Sequence, residues 1–513
     1  MELELKKRKL ACCERILDTT LAHEETMEMI VPDACPDILR IIDTEGKVLI
    51  RGKDTQDGRA EITGTVKTCV LYVPDGERGI RRLEMSIPFT CVLENRDLTQ
   101  TTSLVVRPCL QAIETRLLNP RKVLARANIL LCVCAYRPME MELCSDVEGT
   151  EAKSLEILRE TQTAYLVLSV KDKDFTFVDE LNISSAKPGV EEILRTHVSL
   201  SSGDAKVIGN KLVFKGIANV EILYRSTAGD MTSGKYELPF SQILESEGAG
   251  EDAVCDIILM LSGAEFQIGG ESSPNENHIV TVTLNLKSQA VISENLPLDM
   301  ITDLYSTVYE LSADLQPLAL PSLIEKTVHR QTLRETVETG VLTRSVLDAA
   351  VGMGETTQTR EGTMVTLSAE ATVTAVYMAE DNELYEVSRR TPASCRIEAP
   401  ETSRVWAMAS CPGEIFATPS ASGIELRFSV DFEILVTGGS KTACIRDVRM
   451  NTASPKDLSG SPSVVLRMAG GQERLWDIAK KYNTTVKDIM TANELAESEG
   501  LPEGRLLLIP KKR

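Results

Sequence analysis

The chain repeats itself at a nearly constant interval. ACPDILRII returns as AKPGVEEIL, with Pro36 matched by Pro188, an offset of 188 − 36 = 152. EITGTVKTCVLYV returns as VFKGIANVEILYR, so Gly64 matches Gly216 and Tyr72 matches Tyr224, again 152 apart. MSIPFTCVLE returns as YELPFSQILE, with Pro88 and Pro239 at an offset of 151. A fainter third copy follows. LSAEATVTAVYM places Tyr377 at 377 − 224 = 153, and Pro392 lies 392 − 239 = 153 beyond Pro239. Its glycine has become Ala369, and its leader lacks the proline. An interval held across so many positions marks duplication.

Each copy has the same local grammar. A turn signal (Asp57-Gly58, Gly209-Asn210, Glu361-Gly362) precedes a strand that ends at the tyrosine. A polar loop and a second strand follow, which reads as a β-hairpin. A later strand alternates: Val280, Val282, Leu284 and Leu286 interleave with Thr281, Thr283, Asn285 and Lys287, the period of a half-buried strand. Only Ile38 to Ile42, and Val190 to Arg195 after it, suggest a short helical turn, with Pro36 and Pro188 near a first helical position. Antiparallel strands with one wet face must close into a sandwich or a barrel to bury the other, and the sandwich is the favoured reading. The expected fold is mainly β: three tandem antiparallel β-sandwich-like modules, then a small βααβ domain. The expected boundaries are 1–150 (with an N-terminal extension), 155–312 and 320–450 for the modules, 451–463 for a linker, and 464–513 for the tail. A chain of 513 residues requires several cores in any case. Aromatics are only 4%, so those cores must use Val, Ile, Leu and Ala.

The formal net charge of −20 disfavours nucleic acid or an anionic membrane as partner. The basic cluster Lys6 to Lys9 is not followed by an apolar region, so no secretory signal is expected. The longest apolar run, Ala127 to Tyr136, is about half a bilayer span, and no membrane insertion is expected. The 13 cysteines are scattered through strand-like positions without a CxxC pair, which suggests reduced thiols and no metal site. Four histidines (His23, His197, His278, His329) serve the whole chain, none with a second at ligand spacing. No nucleophile elbow, zinc-protease, P-loop or dinucleotide motif occurs. The reading is a non-enzyme without cofactor.

The tail differs from the body. From Val464 it carries nine basic and seven acidic residues, a net of +2, which leaves −20 − 2 = −22 for the rest. VVLRM reads as a strand. Leu475, Ile478, Ala479 and Tyr482 form one helical face at i, i+3, i+4 and i+7. Thr485 is an N-cap candidate with Asp488 three residues on. RLLLIP closes the unit as a strand.

LWDIAKKYNTTVKDIMTAN followed by PEGRLLLIP resembles a LysM domain. That resemblance implies a groove between two loops that binds N-acetylglucosamine glycans. Here the groove would comprise Gly471, Gln472, Glu473, Arg474, Leu475 and Trp476 on one side and Asn493, Glu494 and Leu495 on the other. The usual Gly-Asp-Thr-Leu loop is replaced by Gln472-Glu473-Arg474-Leu475. Trp476 offers a face to a sugar, or else covers a small core. The repeats KPGVEEIL, NKLVFKGIANVEILY and YELPFSQILE resemble a domain of clostridial sporulation proteins. Tandem copies ahead of one LysM domain resemble the spore coat morphogenetic proteins. That resemblance implies a scaffold on the mother-cell cytosolic side of the forespore surface. Its implied partners are the coat-basement ATPase, stage IV sporulation protein A, and other coat proteins. A peptidoglycan-binding, cortex-associated protein is the alternative.

Overall fold

The computed structural model describes residues 3–76, 79–149, 154–269, 276–457, 462–470, 473–495 and 504–511. The first module comprises β1 (Glu4–Ile30), β2 (Ile38–Gln56), β3 (Arg59–Pro74), β4 (Arg81–Glu94), β5 (Ser103–Asn119) and β6 (Lys122–Glu148). The second repeats it as β7 (Leu155–Asn182), β8 (Val190–Ile208), β9 (Lys211–Ser226), β10 (Met231–Glu245), β11 (Val254–Ile268) and β12 (Ile279–Ser306). In the third, two strands are interrupted. It runs β13 (Tyr309–Glu338), β14 (Thr343–Met353), β15 (Thr357–Glu361), β16 (Met364–Ala379), β17 (Leu384–Glu398), β18 (Arg404–Ser410), β19 (Phe416–Ser420) and β20 (Gly423–Pro455). The tail is β21 (Val464–Met468), α1 (Leu475–Tyr482), α2 (Val486–Ala492) and β22 (Leu506–Pro510).

Each module is a two-layer antiparallel sandwich. In the first, sheet β2-β3-β4 covers sheet β1-β6-β5. Val123, Ala125, Ala127, Ile129, Leu131, Val133 and Ala135 of β6 are all buried, strict alternation on one face. They meet Ile62, Val66, Val70 and Tyr72 of β3. The long sheets of the first two modules join at one bridge, Cys13 to Val167, to make six strands. Gln289 fastens the same junction. Its buried amide accepts from Val106 N (3.0 Å) and donates to Val106 O (2.7 Å), as a neighbouring strand would.

One expectation is corrected. The segments Ile38 to Ile42 and Val190 to Arg195 are strand, not helical turn. Bulges at Ile38/Arg40 and Ile41/Asp43, and at Val190/Glu192 and Ile193/Arg195, break the two-residue alternation. Buried residues therefore fall at helix-like intervals. The N-terminal extension is the 27-residue strand β1, paired along its length with β6. Its basic cluster is held by the partner strand: Lys9 meets Glu140 at 3.0 Å, and Lys6 meets Glu148. Strand β20 runs to Pro455, which faces Tyr309 of β13.

All 13 cysteines are free thiols. Burial pushes Cys69 up to about 12 and Cys109 up to about 11, which leaves them unreactive.

Candidate functional site

The tail folds around its own small core. Ile478, Ala479, Ile489, Leu507 and Ile509 are buried between the helices and the two-stranded sheet. Thr485 caps α2, its hydroxyl accepting from Asp488 N at 3.0 Å. Asn483 ends α1 in a left-handed conformation, φ 53°, and its N–H reaches back to the last carbonyls.

The groove residues separate into two groups. Gly471 and Gln472 lie outside the described residues. Glu473 closes the first loop: its carboxylate accepts from Gly470 N at 3.1 Å and pairs with Arg467. The Gly470 N–H first, and then Arg467, hold that carboxyl below its ordinary value. Across from it, Asn493 behaves as an extra strand residue. Its amide donates to Leu508 O (2.6 Å) and accepts from Leu508 N (2.7 Å). Glu494 is left-handed, φ 52°, and Leu495 is buried. The two loops are tied by Gly504 N to Ala469 O (3.0 Å) and by Arg505 to Asn493 O (3.0 Å).

Trp476 faces the other way, toward the second module. Its Nε1 donates to Asp303 Oδ2 at 2.8 Å, and its ring meets Tyr305 edge-on, centroids 4.9 Å apart. Lys480 donates to both Asp303 oxygens at 2.7 and 2.8 Å. The Tyr305 hydroxyl donates to Thr484 O at 2.7 Å. Lys456 bridges Ser306 O (2.9 Å) and Asn483 Oδ1 (2.7 Å). Arg474 pairs with Asp477 at 3.1 Å and approaches Glu160 at 3.7 Å. Trp476 and Arg474 thus belong to a seat on the body. The sequence signal for this seat was the apolar pair of Tyr305 and Trp476, which lie too far apart in the chain to be linked by pattern.

Among the described residues, one face of the tail is left uncovered. On β21 and β22 the residues Val464, Leu466, Met468, Leu506 and Leu508 point outward and are exposed. Leu466 faces Leu508 across the ladder, and Met468 faces Leu506. The inward positions are Val465, Leu507 and Ile509. A contiguous apolar face on a small domain marks an interaction surface.

Among the described residues no group of three or more His, Cys, Asp or Glu side chains could hold a metal ion. No helix among them is long and apolar enough to cross a membrane.

The profile described as SipL, SPOCS domain matches residues 37–118 and 189–268. These spans cover β2 to β5 of the first module and their equivalents in the second. The LysM domain profile matches residues 473–510. Neither is a catalytic family. No curated protein matches the chain. With two SPOCS segments of the SipL type ahead of one C-terminal LysM domain, on a frame of antiparallel β-modules, the chain is similar in its domains and their order to SipL-type sporulation proteins.

Proposed function

We propose that the chain is a non-enzymatic scaffold for spore coat assembly, and that its LysM domain docks on the coat-basement morphogenetic ATPase at the forespore surface, on the mother-cell side. The observation that carries this reading is the uncovered β21–β22 face. It is apolar, five residues broad, and held outward by the seat at Asp303 and Tyr305. A glycan site would need polar groups converging in a cleft. This face suits an apolar protein patch instead.

The test is co-purification of the full chain with the ATPase. Leu466→Glu places a charge at the centre of the face and should weaken binding at least about tenfold, the scale of a central interface residue. Unchanged binding would remove the face from the account. A second reading, binding of N-acetylglucosamine glycans, rests on the LysM match and on the two loops tied at Ala469, Gly504 and Asn493. Sedimentation of the chain with purified cell wall, insensitive to Leu466→Glu, would favour it.

A further inference from the structure

The three modules meet at equivalent positions. Ile42 and Leu194 pack with Leu71, Leu223 and Val376 in one buried cluster, and the half-buried Leu347 packs against it, each set drawn one residue per module. The next residues along β2, β8 and β14 are Asp43, Arg195 and Asp348, at sequence separations of 152 and 153. A bulge precedes each of them: Ile41/Asp43, Ile193/Arg195 and Val346/Asp348. Bulges re-aim side chains, and here all three are turned to the common junction. Three copies of one charge would repel at such a point. The copies have diverged so that one arginine lies between two aspartates.

Arg195 is 4% exposed and Asp43 3% exposed. The guanidinium pairs with Asp43, donates to Asp348 Oδ2 at 2.8 Å, and lies 3.4 Å from Glu45 Oε2. His197, two residues on, meets the other oxygen of Glu45 at 2.7 Å. Glu386 of β17 brings its carboxyl against Asp43. Lys47 of β2 faces Glu45 and makes no direct hydrogen bond among the described residues. The remaining neighbours are settled: Glu221 of β9 is paired with Lys235 of β10 at 2.9 Å, and the Cys69 thiol of β3 donates to Leu194 O. A central cavity of about 2570 Å³, lined by all three modules, opens onto Glu386, His197 and Lys47. Water and protons can therefore reach the groups that titrate.

We propose that this junction is a pH-responsive clasp that holds the three modules closed in weak acid and loosens them above neutrality.

In weak acid, the cations Arg195, His197 and Lys47 face the carboxylates Asp43, Glu45 and Asp348, three against three, with Glu386 protonated. Burial first, then the charge of Asp43, raises Glu386 to about 7. The folded state holds that proton more tightly than the unfolded chain, so stability falls as pH rises from the ordinary carboxylate value to about 7. Burial would lower His197, but the hydrogen bond and charge of Glu45 outweigh it and hold the imidazole above its ordinary value. Its contribution is complete below the unfolded value and is lost as pH rises through the raised one. Both losses run in the same direction. Burial would raise Glu45, yet His197 and Arg195 outweigh it and hold the carboxyl at about 2, so the clasp fails in acid only well below the weakly acidic range. Burial lowers Lys47 to about 8, which offsets part of the loss only above that pH.

The test follows the melting temperature and the radius of gyration of the full chain between about pH 5.5 and about pH 8, where linkage predicts the change. The wild type should lose about 5 °C or more over this range and expand in solution scattering. Glu386→Gln keeps the size and hydrogen-bonding capacity of the protonated acid, and should lower the pH slope and hold the compact radius at the upper pH. Adding His197→Gln should flatten the profile further. Equal slopes and equal expansion in the wild type and Glu386→Gln would overturn the proposal. The single variant carries the test if the double variant fails to reach the wild-type circular dichroism spectrum at the lower pH.

Discussion

Gly64 and Gly216 show what a single atom decides in this chain. Each sits opposite an aromatic ring on the neighbouring strand, Phe89 and Phe240. A Cβ on Gly64 would stand 2.3 Å from the Phe89 ring, and one on Gly216 would stand 2.4 Å from Phe240. The glycines are there so that the rings can lie flat on the strand. The third module solves the same space differently, with Ala369 opposite Ala393, both buried. The substitution at Ala369 is legible in the sequence; its cross-strand compensation at Ala393 is not, because register is not written locally. Gly64→Ala should destabilise the first module by about 1–3 kcal/mol through overpacking. In a Phe89→Ala background the same change should cost less, with the Leu49 carbonyl at 2.7 Å keeping part of the clash, and thermal melts of the four chains read that coupling.

At the scale of elements, the hairpins and the tail were readable because their signals are local. Alternation runs into a turn of Asp57-Gly58 or Gly209-Asn210, and the helical face of Leu475, Ile478, Ala479 and Tyr482 follows the i, i+3, i+4, i+7 rule. Strand β1 was not readable. Its register partners lie from 122 − 30 = 92 residues away (Ile30 with Lys122) to 148 − 4 = 144 (Glu4 with Glu148), and Lys6, Lys9 and Glu14 meet their opposite charges across that ladder. The helical misreading at Ile38 and Val190 came from bulges, which mimic a longer period. The seat of α1 on β12 was hidden for the same reason as β1: Asp303 and Trp476 are 173 residues apart. Removing the Asp303 carboxylate leaves the indole N–H and Lys480 without their acceptor, a cost of about 1–3 kcal/mol to the seat. Asp303→Ala in a Trp406→Phe background should therefore shift Trp476 fluorescence to longer wavelength as water reaches the ring. Emission identical to the parent would show that Asp303 does not hold the tail.

At the scale of the molecule, repetition announced three modules but not how they close. Asp43, Arg195 and Asp348 share one repeat position, yet their residue types differ, so no self-comparison selects them. Their pairing is a property of the assembled frame. That frame is acidic and β-rich, and it presents one small domain whose apolar sheet points away from it. The two halves of the account meet there: the body fixes the LysM domain from behind through Trp476, and leaves β21 and β22 free in front. The most direct measurement is a crosslinking pull-down from sporulating cells with the full chain and with the chain ended at Ser463. The account predicts that the coat-basement ATPase is recovered with the full chain and lost with the shortened one. Equal recovery from both would place the docking surface on the β-modules and contradict it.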